Sequence, residues 1–435
     1  MVDRWIVGDF TTGRLVAEVR DPISGSTWST TLDGGSGTLV LNPAVRTHRL
    51  IGEMLRDQMG FRYYIAAFND HDVVEYAGPV TRCTLDGTRW RFDAGTAWDY
   101  LDRRAIVSRD HWLTWRTPDD ADPPLYQWHG TWRQIIAGIW QMVFNRGYLP
   151  WVRQDWLDQV ELGEEWRRFF ATSRRVEGEQ TWLDPPIWPV GDQLEGKTTD
   201  HQWSVEMIDL ETVAETLQEI SRRESGVEVQ IVPRWVGTFP DGNMLWQVVT
   251  GTDTVPHVSP TWAPWPLDMT AERSTRWVTE ARIEGSTILT SARVLAGRGS
   301  EGGTPMVGWA NNANVPGGQT LSSKWPEIDV TNTRHTSVHL LETANDIASS
   351  LVLDGAKPSL SCTVAIQDGG LPDPNLVRVG DMATVHAGWR HAFLPDGSHR
   401  MRIVSKTRNA AGTTNLGLVG LRYDDIARYR SRWEA

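Results

Sequence analysis

Three glycines that follow a predicted strand have the spacing of a dinucleotide-binding turn. Gly297, Gly299 and Gly302 match the pattern G-x-G-x-x-G. In that motif the glycines open a helix whose amide groups point at a pyrophosphate. Here a Gly-, Pro- and Asn-rich stretch follows, and no acidic residue stands on a second strand about twenty positions later. The sequence therefore predicts a long loop at this place and no bound nucleotide.

Two other groups have the residue types of metal ligands. His335 and His339 would share one face of a helix, as a zinc site requires, but the sequence shows no third ligand beside them. One predicted turn contains three aspartates, Asp119, Asp120 and Asp122. Their spacing differs from that of the ligands in the calcium loop of an EF-hand. We expect solvated side chains at both places, and no metal ion or other cofactor.

The two cysteines are placed neither for catalysis nor for a disulfide framework. Cys83 lies in the middle of a predicted strand, and Cys362 lies in an apolar alternating run. A nucleophilic thiol would need a helix N-terminus and a nearby histidine. The chain also lacks the G-x-S-x-G motif of serine hydrolases. The sequence therefore predicts a protein that is not an enzyme.

Length and charge narrow the class of protein. A chain of 435 residues is too long for one ordinary core, which indicates about two to four domains. The net charge of −12 disfavours a nucleic-acid-binding face, so we expect no specific nucleic-acid partner. We also expect no membrane anchor, because no apolar run is long enough to span a bilayer, and we expect folding in a reducing cytoplasm.

Arginine and tryptophan are over-represented. Only four of the 43 basic residues are lysines, and the others are arginines. Arginine suits bidentate contacts at protein interfaces, but its excess also fits codon bias in a GC-rich genome. Ten of the 24 tryptophans lie between Trp112 and Trp188, where they would form a stacking platform for sugars, an aromatic interface or ordinary core. A predicted helix capped by Thr131 favours core, since its apolar residues recur at helical spacing: Trp132, Ile135, Ile136, Ile139, Trp140, Val143 and Phe144.

The stretch from Tyr76 to Ile106 predicts a hairpin followed by a short helix with Thr96 as its N-cap. Asp86-Gly87 favours a two-residue turn, which places Arg82 opposite Arg91. Like charges directly opposite each other destabilise a ladder, so this face needs water, acidic neighbours or another chain. The other face of the hairpin is predicted to be core, and it comprises Thr81, Cys83, Leu85, Trp90 and Phe92.

Periodicity along the whole chain predicts an α+β fold that is mostly β, with two small β-barrel or sandwich domains and helical and irregular insertions. We place the domains at residues 1–107 (β), 108–204 (Trp-rich insertion), 205–330 (α+β) and 331–435 (a helix and the second β domain). The strand–turn–strand layout of residues 398–421 resembles that of residues 80–94. The two β domains are therefore candidates for an internal repeat.

Three segments, in order, carry a resemblance to a known family. They are Trp28–Pro43, with a Gly-rich bend and a Pro stop, Gly78-Pro-Val-Thr in the hairpin, and Leu101–Ile106. With these, the chain resembles the N-terminal half of siphophage minor tail proteins of the tail-hub, or baseplate hub, family. The resemblance is strongest over 1–107, looser over 205–310 and 375–425, and absent over 108–204.

That resemblance implies a structural virion protein at the tail tip. Its two β-barrels would be tube-like, and three chains would form a pseudo-sixfold ring that continues the tail tube. The implied partners are other copies in a homotrimer, the distal tail protein, the tape-measure protein and other tip proteins, in a virion assembled in the host bacterial cytoplasm. Arg82, Arg91, Arg103 and Arg104 are the expected contacts between subunits or with the lumen.

Two other functions stay open at this point. A carbohydrate-binding tail protein would recognise a host-surface glycan through the Trp-rich region 108–204. A tail-associated cell-wall hydrolase would need a catalytic domain, and we expect no room for a separate one after the last predicted strand.

Overall fold

A computed structural model describes residues 4–19, 25–57, 60–85, 87–106, 125–144, 187–189, 201–206, 211–222, 226–252, 257–258, 267–270, 272–273, 275–284, 289–298, 304–311, 328–335, 341–355, 359–388, 394, 396–408 and 412–420.

The strands of these ranges are β1 Arg4–Asp9, β2 Leu15–Val19, β3 Thr27–Thr31, β4 Gly34–Leu41, β5 Tyr63–Phe68, β6 Val74–Leu85, β7 Trp90–Ala94, β8 Leu125–Gly130, β9 Ile187–Pro189, β10 His201–Glu206, β11 Val229–Val236, β12 Asn243–Thr250, β13 Leu267–Thr270, β14 Glu272–Arg273, β15 Arg276–Glu284, β16 Ser291–Arg298, β17 Pro305–Asn311, β18 Asp329–His335, β19 Ser359–Gln367, β20 Met382–Ala387, β21 Gly397–Arg408 and β22 Thr413–Gly420. The helices are α1 Arg46–Asp57, α2 Ala97–Leu101, α3 Trp132–Phe144, α4 Val213–Arg222 and α5 Leu341–Asp354.

Most of the strands join one large sheet. Its hydrogen-bonded order is β14-β15-β19-β22-β21-β3-β4-β7-β6-β5-β1-β2, and β20 and β13 are attached beside β21. The prediction of an α+β chain that is mostly β is confirmed. Within the described residues the large sheet has two open ends, so it is not closed into a barrel by one chain alone. Smaller sheets are formed by β8 with β10, by β9, β11 and β12, and by β16, β17 and β18.

Separate hydrophobic cores lie under different parts of the sheet. One core is built on the N-terminal strands around Trp28 and Phe92, and another on the C-terminal strands around Ile403 and Leu418. A third joins the N-terminal strands to helices and strands from the middle of the chain. Its members include Phe10, Tyr64, Trp132, Ile139, Leu217 and Trp246. The boundaries of the four predicted domains stay a prediction.

Helix α3 forms as the sequence predicts. The Thr131 hydroxyl accepts a hydrogen bond from the Gln134 backbone N–H (3.3 Å), and the Gln134 side chain accepts one from the Thr131 backbone N–H (3.0 Å). This reciprocal pair satisfies two amide groups that the first helical turn leaves without partners. The apolar stripe that follows is fully buried in the third core: Ile135, Ile136, Ile139 and Val143.

Gly78 lets strand β6 lie very close to the backbone that follows β7. A Cβ atom at this position would lie 1.7 Å from the carbonyl oxygen of Gly95. We expect Gly78→Ala to lower the free energy of unfolding by about 1–3 kcal/mol, because main-chain atoms must shift to relieve the overlap. Urea unfolding of the purified chain measures this change. Gly388→Ala is the matched control, because nothing lies within 4 Å of its added Cβ, and equal effects of the two substitutions would contradict the expectation.

Candidate functional site

The chain contains the same three-stranded ladder twice. Strands β6 and β21 each have twelve residues. The first half of each pairs antiparallel with the strand before it, β5 or β20, and the second half pairs with the strand after it, β7 or β22. Such long strands that change partners midway connect two sheet surfaces.

The two ladders also have a β-bulge at the same position of the long strand. In the first, Val80 pairs with Ala94, a one-residue bulge follows, and the ladder resumes with Arg82 opposite Asp93. In the second, Ile403 pairs with Leu418, a one-residue bulge follows, and Ser405 lies opposite Gly417. Since a bulge fixes the register of a strand, its equivalent position makes the correspondence between the ladders unique.

The correspondence extends by two more strands in each module, beyond β7 and beyond β22. Strand β7 pairs with β4, and β4 with β3, while β22 pairs with β19, and β19 with β15. We therefore name two units: the N module, consisting of β3, β4, β5, β6 and β7, and the C module, consisting of β15, β19, β20, β21 and β22. The internal repeat that the sequence suggests is present as a repeat of strand pairing.

One ladder joins the two modules. The first strand of the N module, β3, pairs antiparallel with the second half of β21, from Trp28 opposite Arg408 to Thr31 opposite Ser405. The Thr407 hydroxyl contacts the Ser29 hydroxyl across this ladder at 3.1 Å. We call this pairing the joint. It makes a single sheet of the two modules.

A buried carboxylate holds the joint from the side of the N module. Glu75 in β6 is 6% exposed, and one of its oxygens accepts hydrogen bonds from Lys406 and Arg378, both at 2.8 Å. Its other oxygen accepts one from the Asn69 amide at 2.6 Å. A carboxylate whose oxygens are both occupied by donors is a structural clamp, and it is not positioned to remove a proton from a ligand.

Lys406 is the C-module partner in this clamp. It is 3% exposed, donates a further hydrogen bond to the Val377 carbonyl (3.0 Å), and lies 5.7 Å from the centre of the Trp28 ring. Burial lowers the pKa of Lys406, and the nearby Glu75 carboxylate acts in the opposite direction. Arg408, two residues along the same strand, donates to both carboxylate oxygens of Asp368, at 3.0 and 2.8 Å.

A cavity of about 400 Å³ opens beside the joint. It is lined by Glu75, Arg378 and Lys406 of the clamp, by Thr30 of the joint, and by residues of β11 such as Arg234. Burial lowers the pKa of Arg234, and the neighbouring Arg378 lowers it further. The sequence did not indicate this cluster, because Glu75 and Lys406 are separated by 331 positions and belong to no spaced motif.

Each module has one open strand edge within the described residues: the second half of β6 in the N module and the outer edge of β15 in the C module. In the C module, residues 405–408 of β21 pair with β22 on one edge and with β3 on the other. The equivalent residues of the N module, 82–85 of β6, pair with β7, and no strand within the described ranges occupies their other edge. Strand β15 pairs with β19, and β14 covers only Arg276 and Trp277 on its far edge.

Two of the four predicted contact arginines lie on the β6–β7 hairpin, with a different register from the predicted one. Arg82 is opposite Asp93, and Arg91 is opposite Thr84, so the predicted Arg82–Arg91 pair is wrong. The connection between the strands is two residues longer than the predicted turn, because Leu85 pairs with Trp90. This register replaces a like-charge pair with an opposite-charge pair, which is the more stable arrangement.

The predicted core face of the hairpin is only partly buried. Phe92 is buried and Cys83 is half-buried, but Leu85 is 50% exposed and Thr81 is exposed. Trp90 is half-buried and, like Cys83, packs against the N-terminal core. The predicted core face is therefore wrong only at Thr81 and Leu85. Arg91 is paired within the chain, since its side chain lies 2.8 Å from the Asp93 carboxylate.

Arg103 and Arg104 follow helix α2, at a different place from the hairpin. The Arg103 guanidinium lies 5.1 Å from the centre of the Phe61 ring, and that of Arg104 lies 5.7 Å from the centre of the Tyr100 ring. The Arg104 carbonyl also accepts a hydrogen bond from the Val213 N–H at the start of α4. Arg103 is exposed and Arg104 is half-buried. Their predicted role between subunits or at the lumen stays a prediction, as does that of Arg82 and Arg91.

The candidate metal and nucleotide residues lie mostly outside the described residues. This holds for Asp119, Asp120, Asp122, His339 and the end of the glycine motif, whose first glycine lies near the end of β16. Within the described ranges, no cluster of three or more His, Cys, Asp or Glu side chains is placed to hold a metal ion. No helix in that part of the chain is long and apolar enough to cross a membrane.

Several tryptophans of the predicted insertion belong to the core. Trp132 and Trp140 are buried, and the Trp132 ring stacks on that of His201 with their centres 4.5 Å apart. Six others lie outside the described residues: Trp112, Trp115, Trp151, Trp156, Trp166 and Trp182. The described part of the region therefore supports core packing.

No family model matches the chain, and no curated protein matches it. Solved structures do show similarity. The 43 kDa tail protein of prophage MuSo2 from Shewanella oneidensis is 12% identical, with a TM-score of 0.49 over 97% of this chain and 99% of that one. A tail protein from Neisseria meningitidis is 11% identical, with a TM-score of 0.48 over 95% and 96%. Prophage tail protein gp18 from Listeria monocytogenes is 10% identical, with a TM-score of 0.45 over 99% and 100%. These structural neighbours of the chain are all tail proteins.

Proposed function

We propose that the chain is a structural protein of a bacteriophage tail, and that its copies assemble side by side into a ring at the tail tip. The observation that carries this proposal is the joint. One chain already contains two equivalent β modules, and they are held together by strand pairing between an edge of one and an edge of the other.

The geometry of the joint favours a ring. It connects unlike edges, β3 of the N module and β21 of the C module, so a repeat of the same contact between chains would be head-to-tail. Head-to-tail contacts close into rings when each step rotates by a fraction of a full turn. Three copies would supply six modules, which is the pseudo-sixfold ring that the sequence resemblance implies. Closure would also cover strand edges that otherwise invite aggregation.

The buried charges give such a ring a fixed shape. Because Glu75, Lys406 and Arg378 satisfy one another only in one relative placement of the modules, the joint has little freedom to bend. Buried ion pairs are often neutral for stability, and their best-attested use is to fix register. In this function the chain has no catalytic role, and its partners are the distal tail protein, the tape-measure protein and other tip proteins.

Light scattering and negative-stain images of the purified chain test the proposal. We expect a species of three times the monomer mass that becomes dominant between about 1 and 100 μM, as mass action requires for interfaces of ordinary affinity. Class averages of this species should show a ring with six lobes. A protein that stays monomeric over this whole range would contradict the proposal.

A further inference from the structure

We infer that residues 82–85 of β6 in one copy pair antiparallel with residues 281–284 of β15 in the next copy. This inference rests on the proposed ring and names the strands that would form it. Both partners are edges that the large sheet leaves open within the described residues. The register of this pairing between copies is obtained by replacing each residue of the joint with its equivalent in the other module.

The first half of the correspondence relates β6 to β21. After the shared bulge, Arg82 opposite Asp93 is equivalent to Ser405 opposite Gly417, and Leu85 opposite Trp90 is equivalent to Arg408 opposite Thr414. Residues 82–85 of β6 therefore stand where residues 405–408 of β21 stand. In the joint, those β21 residues pair with β3.

The second half relates β15 to β3. Trp28 pairs with Gly37, which pairs with Ala94, the residue opposite Val80. In the C module, Ala281 pairs with Cys362, which pairs with Leu418, the residue opposite Ile403. Ala281 of β15 is thus equivalent to Trp28 of β3, and Glu284 to Thr31.

Transferring the joint register to the open edges gives four pairs. In the joint, Ser405 lies opposite Thr31 and Arg408 opposite Trp28. Between copies, the equivalent pairs are Arg82 with Glu284, Cys83 with Ile283, Thr84 with Arg282, and Leu85 with Ala281.

The residue types suit this register. Arg82 would face a glutamate position, and opposite charges across a ladder stabilise it. Cys83 and Leu85 would each face an apolar residue. Leu85 is 50% exposed in one chain, whereas its equivalent Arg408 at the filled joint is 4% exposed. A neighbouring copy would cover the exposed leucine in the way that β3 covers Arg408.

A cysteine cross-link tests the register. The chain has two cysteines, and Cys83 is the more accessible thiol, because it is half-buried whereas Cys362 is 4% exposed. Burial raises the pKa of both thiols, and that of Cys362 to about 11. In the full-length Ile283→Cys variant, the new thiol should lie directly opposite Cys83 of the next copy. Mild oxidation should then give covalent dimers and trimers on a non-reducing gel, in yields about tenfold above those of Arg282→Cys, whose thiol would lie one position out of register.

A second pair of variants guards against a local effect of residue 283. In a Cys83→Ser background, Thr84→Cys should cross-link with Arg282→Cys and not with Ile283→Cys, which reverses the preference. Each variant is compared with the unmodified chain in thermal unfolding, so that a misfolded variant is recognised. The same yields for all pairs, or a preference displaced by one residue, would overturn the inferred register.

The assembly state separates this inference from the function it rests on. If rings form but neither directly opposite pair cross-links, the ring uses other surfaces, so the strand pairing is wrong and the proposed function stands. If the chain neither assembles nor cross-links, both are wrong.

Discussion

Replacing Glu75 with alanine should lower the free energy of unfolding by about 3–5 kcal/mol, because it leaves a buried lysine without its counter-charge. Lys406 is 3% exposed, and Glu75 is the carboxylate within hydrogen-bond distance of its ammonium group, at 2.8 Å. Urea unfolding of the purified chain is the measurement. Asp70→Ala, five positions away and exposed, is the matched control and should leave the free energy of unfolding close to that of the unmodified chain.

A double substitution shows whether the charge, and not the volume, is responsible. Lys406→Met in a Glu75→Leu background replaces the pair with apolar side chains, and its loss of stability should be smaller than the sum of the losses of Glu75→Leu and Lys406→Met. Arg378 and Asn69 still lose their acceptor in this variant, so we expect partial recovery. If the double variant is as unstable as the sum of the two single variants, the ion pair is not the reason for the loss.

The second large effect is expected at Trp246, which connects the middle of the chain to the N module. This residue is 1% exposed, its indole N–H donates to the Ala77 carbonyl at 3.2 Å, and its ring meets Tyr64 and Phe10 edge-on, at 5.2 and 4.9 Å between ring centres. Trp246→Ala should therefore lower the free energy of unfolding by about 3–5 kcal/mol, through lost packing and the cavity left behind.

Trp277→Ala is the control for Trp246→Ala. Trp277 is 36% exposed on strand β15, so its removal leaves no enclosed cavity. Equal losses of stability at the two positions, measured by the same unfolding experiment, would show that the third core does not depend on Trp246.

Local pattern predicted the parts of the fold that depend on local interactions. The apolar stripe and cap of α3 could be found because both depend on the types of residues that lie three and four positions apart in the sequence. The repeat of strand–turn–strand layout was also visible near residues 80 and 400, although the identity of the residues was too low to show how far it extends. The structure extends it to five strands.

The hairpin register shows where local pattern fails. Asp86-Gly87 favours a two-residue turn, but the bulge after Val80 and the pairing of β7 with β4 fix Arg82 opposite Asp93 instead. A preference of one turn is small beside the contacts of two ladders. The register shift of two residues keeps Leu85 and Phe92 on the same face. Leu85 is exposed because it is the last residue of β6, at the far end of the hairpin, whereas Phe92 lies over the core.

The clamp at the joint could not be predicted from one sequence. Its residues come from distant parts of the chain, and nothing in the spacing of Glu75, Arg378 and Lys406 indicates that they meet. Two weak signals existed. Glu75 interrupts an apolar run, and Lys406 is one of only four lysines in an arginine-rich chain. Each of these features suggests a buried charged side chain, but neither predicts which residue that side chain pairs with.

A cryo-EM map of the assembled ring, alone or in a tail tip, tests most directly whether the modules tile around an axis. We predict three chains in the ring, with six β modules in one continuous circle, and backbone density in which residues 82–85 of each chain run beside residues 281–284 of its neighbour. A map in which the chains are held together elsewhere and the β6 edge faces solvent would contradict this arrangement.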